Sequence, residues 1–199
     1  MKYLNDLRIE RSGKGIPYGG MGEPREDGEA NYGFKDLKGN LDQISSVPEL
    51  ARDPDLLALV QRINAPTVGL FSVGCTSGPV LDEQGHRVSG YVEFAINSVS
   101  KIQDASTYFP MFFHFDNALQ KVCFDEKMHF GWVIDTAHFI KPNLGGFSAA
   151  IILNTAYHLN SDDAKTTWAA SLDFLGQFLS AIPADSDPLY RYDTSNKGA

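Results

Sequence analysis

Two apolar-rich runs, residues 130–140 and 147–158, are joined only by Lys141-Pro142-Asn143-Leu144-Gly145-Gly146. A connection that short turns the chain back on itself. It has no room for the crossover of a dozen or more residues that parallel neighbours require. The two runs are therefore expected to be antiparallel strands. The same reasoning applies upstream, where Asp82-Glu83-Gln84-Gly85 is a turn signal between two strand-like stretches and predicts a hairpin. In its second arm Val92, Phe94 and Ile96 share one face, and Tyr91, Glu93, Ala95 and Asn97 share the other. Such alternation suits a half-buried antiparallel strand. Successive hairpins predict one α+β domain around a mostly antiparallel sheet of roughly five to seven strands.

Two helices are expected to flank that sheet. Ser46-Val47-Pro48-Glu49 has the spacing of a capping box, and Asp53-Pro54 offers a second start with Asp as N-cap and Pro at the first helical position. Leu56, Leu57, Val60 and Ile63 follow at helical spacing until Asn64 and Pro66. The second helix is predicted over 162–182, with Ser161 as N-cap and Asp162 and Asp163 in the first turn. Its stripe is Trp168, Leu172, Leu175, Leu179 and Ile182, and Pro183 ends it. Between the hairpins, 111–116 and 119–124 read as strands around a turn at Asp116-Asn117. A helix is the alternative there, and Pro110 and the crowded phenylalanines count against it.

Residues 1–40 form a separate unit in this reading, an extended or partly disordered, Gly-rich arm without a sustained period. Residues 41–184 are the domain and 185–199 a polar tail. Gly13-Lys14-Gly15 and Gly19-Gly20-Met21-Gly22 invite a phosphate-loop assignment. They lack the Walker spacing, and the stretch before them is a weak strand, so that assignment fails.

Composition narrows the function. A hydrophobic fraction of 43% and an aromatic fraction of 12% suffice for a packed core. A net charge of -8 sets the surface against nucleic-acid backbones and anionic membranes. Apolar runs fall far short of the ~18 residues of a membrane span. The first residues carry no apolar signal region. The 2 cysteines, Cys75 and Cys123, make neither a disulfide framework nor a zinc motif, which favours a reducing, cytoplasmic setting.

Three sets of side chains carry candidate chemistry. Cys75 follows an apolar run, with glycine and hydroxyls around it, the setting in which a strand presents a nucleophile; no helix begins there to stabilise a thiolate. A catalytic role needs a base, for which His86 and His114 are the candidates. The 5 histidines do not form a metal motif. His114 and Asp116 would share a strand face, Asp135 and His138 would oppose, and His129 and Asp135 would stand roughly 20 Å apart at about 3.3 Å per residue. Third, Phe112, His114, Asp116, Trp132 and Tyr157 would form an aromatic, polar-studded pocket if the sheet curves, with Phe113 beside them. The simpler alternative is an antiparallel sheet with one wet face. These observations point to a non-catalytic binding or interaction protein without cofactor or metal. Its partner would be a protein or a small apolar molecule, held by the sheet face, by the arm, or by both. The arm would also serve a homo-oligomer. The rival is a small hydrolase or transferase with Cys75 as nucleophile and a histidine base.

Overall fold

The computed structural model describes residues 3–20, 23–24, 30–122, 124 and 126–191. In chain order the strands are β1 (Tyr3–Ile16), the two-residue strands β2 (Glu23–Pro24) and β3 (Ala30–Asn31), β4 (Leu70–Asp82), β5 (Gly85–Ile96), β6 (Met128–Phe139) and β7 (Leu144–Thr155). The helices are α1 (Pro48–Ala51), α2 (Pro54–Ile63), α3 (Phe109–Leu119) and α4 (Ser161–Ser180), with short 3-10 turns at Leu41–Ser46 and Ala105–Tyr108.

The main sheet has five strands in the order β1-β6-β7-β5-β4. Both expected hairpins are present, β4 with β5 and β6 with β7, and β5 joins them by pairing antiparallel with β7. The first hairpin turns where Asp82 Oδ1 accepts the Gln84 N–H at 2.8 Å and Gly85 takes a φ of +121°, a conformation that costs glycine little. The sheet is mixed, not mostly antiparallel, because β1 lies parallel to β6 along its outer edge. The stretch expected to be a loose arm is thus, over Tyr3–Ile16, a strand of the sheet.

The segment 109–119 is helix α3, not a strand. Pro110 sits in its first turn, where a missing N–H costs nothing. In helical register Phe112, Phe115 and Leu119 form one stripe. Phe115 is fully buried and meets Phe130, Trp132, Phe174 and Phe178 with ring centroids 5.1–5.6 Å apart. The expected strand over 119–124 is likewise replaced by the end of α3 and a loop, in which Cys123 falls outside the described residues. The capping box at Ser46 does not form: Ser46 Oγ donates to Gln43 O, and Val47 precedes α1 without a side-chain cap. Asp53 does cap α2, accepting the N–H groups of Asp55 and Leu56 at 3.1 and 2.9 Å. Asn160, rather than Ser161, caps α4.

The helices cover one face of the sheet, where Val92, Phe94, Phe130, Trp132, Ile134 and Ile151 pack against Leu56, Val60, Leu172, Leu175 and Leu179. The opposite face is not simply wet. Ile16, Phe71, Val73, Ala95, Ala137 and Phe139 form a second cluster there, roofed by Tyr18, Phe34, Leu189 and Tyr190. The start of the polar tail is fixed in this roof. Tyr190 N–H donates to Asn97 Oδ1 at 2.7 Å, and Asn97 Nδ2 returns a bond to Tyr190 O at 2.8 Å.

β4 and β5 approach closely at Gly90, where an added Cβ would lie 2.4 Å from Thr76 O and 2.9 Å from Ser77 Cα. Both are backbone atoms of a paired strand and have little room to move. Gly90→Ala is expected to lower stability by about 2 kcal/mol through overpacking, read as a lower urea midpoint at unchanged m-value.

Candidate functional site

The edge strand β4 is irregular where it leaves the core. Its pairing with β5 slips between Ser72 and Gly74, which places Gly74 opposite Glu93 and Cys75 opposite Val92. Bulges of this kind bend an edge strand and re-aim its neighbours. Tyr18 crosses from the end of β1 and its hydroxyl donates to Val73 O at 3.1 Å. A Cβ at Gly74 would stand 2.8 Å from Tyr18 Oη and 3.6 Å from Tyr91 Oη, so glycine lets the two phenols close on the backbone.

β1 supplies the charge that meets this spot. Its register against β6 shifts between Glu10 and Lys14. Ser12 holds the irregular stretch to Asp135, its N–H donating to Oδ1 at 2.8 Å and its hydroxyl to Oδ2. Burial pushes the Asp135 carboxyl up. The bonds from Ser12 and Thr136, with the charge of Lys14, outweigh that and leave it below the usual value. Lys14 then pairs with Glu93, whose side chain is 7% exposed on the floor of β5.

These residues border a cavity of about 290 Å³, lined also by Glu49, Leu50 and Cys75. A second cavity of about 690 Å³ continues along β4, lined by Asp53, Asp55, Ser77, Gly78, Pro79, Lys165 and Trp168. The two share Tyr32, Glu49 and Thr76 as walls, so they are lobes of one cleft. Asp53 braces it. Beyond capping α2, its Oδ2 accepts from Ser77 Oγ at 2.6 Å and from Trp168 Nε1 at 2.8 Å, tying α2, β4 and α4 together. Partial desolvation, with the nearby Asp53 and Asp173 carboxylates, raises the carboxyl of Asp55. Glu49 Oε2 is buried and has no hydrogen-bond partner among the described residues.

No family model, curated protein or solved structure matches this chain.

The cleft's electrostatics oppose a cysteine nucleophile. Burial, followed by the carboxylates of Glu49 and Asp53, pushes the Cys75 thiol up to about 12. Burial, with Tyr91, Glu93, Cys75 and Glu49, raises the Tyr18 phenol as well. Among the described residues no histidine lines either lobe. His86 pairs with Leu81 near the hairpin turn, and its N–H and C=O bond to His158 at 2.9 and 2.7 Å. That is six rungs from the Cys75–Val92 pair, roughly 20 Å at about 3.3 Å per residue. His114 is exposed on α3. With α3 a helix, His114 and Asp116 no longer share a face, and Asp116 instead accepts from Asn5 Nδ2 and Gln120 Nε2, each at 3.1 Å.

The aromatic pocket expected from the sequence does not assemble. Trp132 is fully buried in the main core, with Phe112 packed on it at 6.0 Å and Phe113 on Phe112 at 5.4 Å. Tyr157 lies at the hairpin end, donating to Asp82 Oδ2 at 2.6 Å with Arg87 5.1 Å above its ring. His129 Nε2 meets Asp6 Oδ2 across β1 and β6 at 2.6 Å, not Asp135. Among the described residues no three His, Cys, Asp or Glu side chains gather at metal-ligand spacing. The residues that do converge are Lys14, Tyr18, Glu49, Asp53, Tyr91, Glu93 and Trp168 beside Cys75. Of these, Asp53 and Trp168 were legible as helix features and Glu93 as a carboxylate in a half-buried strand, but no sequence signal joined them into one site.

Proposed function

We propose that the protein is a non-catalytic binding protein and that the two-lobed cleft beside β4 is its binding site. One observation carries this reading: among the described residues the cleft holds one thiol, half-buried beside two carboxylates and facing no imidazole. What remains are phenols, hydroxyls, carboxylates, an ion pair and apolar walls, which orient a ligand; the hydroxyl–carboxylate contact of Ser77 with Asp53 engages a carboxylate already committed to the α2 N-cap and to Trp168, which leaves it poorly suited to act as a base. Self-association through the N-terminal strand is less well supported. Asp6, Arg8 and Glu10 stand exposed along β1, and charges on an edge strand oppose pairing with a second copy.

Gly78 offers a clean test. A Cβ there meets nothing within 4 Å, and the residue lines the larger lobe, so Gly78→Trp fills the cleft without a clash at the backbone. A panel of small amines and short peptides, scanned by thermal shift, is expected to contain members that raise the Tm of the wild type and leave Gly78→Trp unmoved. Conversion of a panel member to product, lost in Cys75→Ser, would replace binding with catalysis.

A further inference from the structure

We propose that the occupant of the cleft is an extended, basic peptide segment of a partner protein, lying along the open edge of β4 with a lysine or arginine side chain turned to Glu49. This rests on the binding reading above and names its ligand class. The backbone argument comes first. β4 is the last strand of the sheet on this side, and Thr76, Ser77, Gly78 and Pro79 line the larger lobe. Alternate N–H and C=O groups of an edge strand lack a strand partner, and an added extended segment satisfies them. A compact small molecule would not. Pro79 has no N–H to offer, which limits how far such a ladder runs.

Charge selects the side chain. Glu49 Oε2 is buried without a partner among the described residues, and a buried acceptor in that state costs free energy until a donor arrives. A guanidinium or ammonium supplies a charge-assisted bond at that point. Asp53, fixed by four donors, adds fixed negative charge to the same wall. The two cations on the larger lobe, Arg52 and Lys165, are exposed, with Lys165 3.8 Å from Asp162, and Lys35 on the smaller lobe is exposed as well. The net charge of -8 favours encounter with a basic partner. Size agrees: the lobes of about 290 and 690 Å³ join end to end along a strand, a shape for several residues of chain.

The test is an anisotropy titration of the full protein at physiological salt. The probes are a fluorescein-labelled nonapeptide of alternating Lys and Val, its Glu/Val counterpart, and a Lys/Val peptide N-methylated at alternate residues. The Lys/Val peptide is expected to bind, and the other two at least tenfold more weakly. Glu49→Gln is expected to weaken the Lys/Val peptide about tenfold. Glu126→Gln, which removes an exposed carboxylate outside the cleft, is expected to leave it unchanged, with thermal melts confirming that both variants fold. Equal binding of the Lys/Val and Glu/Val peptides, or equal effects of the two substitutions, would overturn the proposal. So would full binding by the N-methylated peptide. If spermidine binds in a Glu49-dependent manner and the peptide does not, the cleft remains a binding site and the peptide assignment falls. If no peptide and no panel compound binds, both readings fall.

Discussion

Lys14→Met is expected to cost about 3 kcal/mol of folding stability, and Glu93→Gln only about 1 kcal/mol. The difference follows from where the two partners sit. The Glu93 side chain is 7% exposed and that of Lys14 33% exposed. Deleting the lysine leaves a carboxylate on the floor of the sheet with no countercharge and little water. Deleting the carboxylate's charge leaves an ammonium that can swing outward on its long stem and be solvated. The double variant Lys14→Met/Glu93→Gln should therefore cost only about 1 kcal/mol, about 2 kcal/mol less than Lys14→Met alone, which corresponds to a coupling of about 3 kcal/mol, at the upper end of the range seen for contacting groups. Urea titrations of the four proteins give this cycle directly. Equal single costs that simply add would mean that the pair is solvated and contributes nothing specific to the cleft.

That ion pair also shows why the site was hard to read from the sequence. Elements set by neighbouring residues were legible. The Asp53-Pro54 start of α2 rests on contacts two and three residues away, and the two hairpins announce themselves by their connections. α3 was misread because phenylalanine suits strands by propensity, while its i, i+3, i+7 stripe acquires meaning only against the buried rings of β6 and α4. β1 was missed for another reason. Its Leu7 and Ile9 alternate with Asp6, Arg8 and Glu10, but the strand is largely exposed and pairs with residues more than a hundred positions away. No local signal encodes a parallel partner at that separation. The cleft depends on that same pairing, because the shift between Glu10 and Lys14 brings Lys14 toward Glu93. A carboxylate in a strand that alternates with Val92 and Phe94 requires a partner once buried, but nothing local specifies which lysine supplies it.

Cys75 in the folded protein is expected to react with iodoacetamide about a thousandfold more slowly at pH 7.5 than an ordinary free thiol. The reactive species is the thiolate. A thiol at its ordinary value of 9.0 is roughly one-thirtieth ionised at that pH, whereas burial beside Glu49 and Asp53 pushes Cys75 up to about 12. A Cys123→Ser background isolates the measurement, and the same protein in guanidinium chloride supplies the reference rate. The shift has a second consequence. Because the folded state holds the thiol proton more tightly, this group's contribution to stability is whole below the unfolded value near 9 and is lost as pH rises toward 12. Lys38 acts in the opposite sense. Its buried ammonium, donating to Ala65 O and Val68 O, is pushed down to about 8. The cost of holding it charged is present below pH 8 and is relieved as pH climbs toward 10.5. Stability is therefore expected to rise from pH 8 to about 9, level off to about 10 while the two terms compete, and fall above about 10, where the raised phenols of Tyr18 and Tyr108 add to the loss. In Cys75→Ala the rise should continue to about pH 10, and in Lys38→Met the initial rise should vanish. Alkylation of native Cys75 at the rate of the denatured protein would overturn the buried-thiol account. It would return Cys75 to the role of nucleophile, with a base still to be found among residues outside the cleft as it stands.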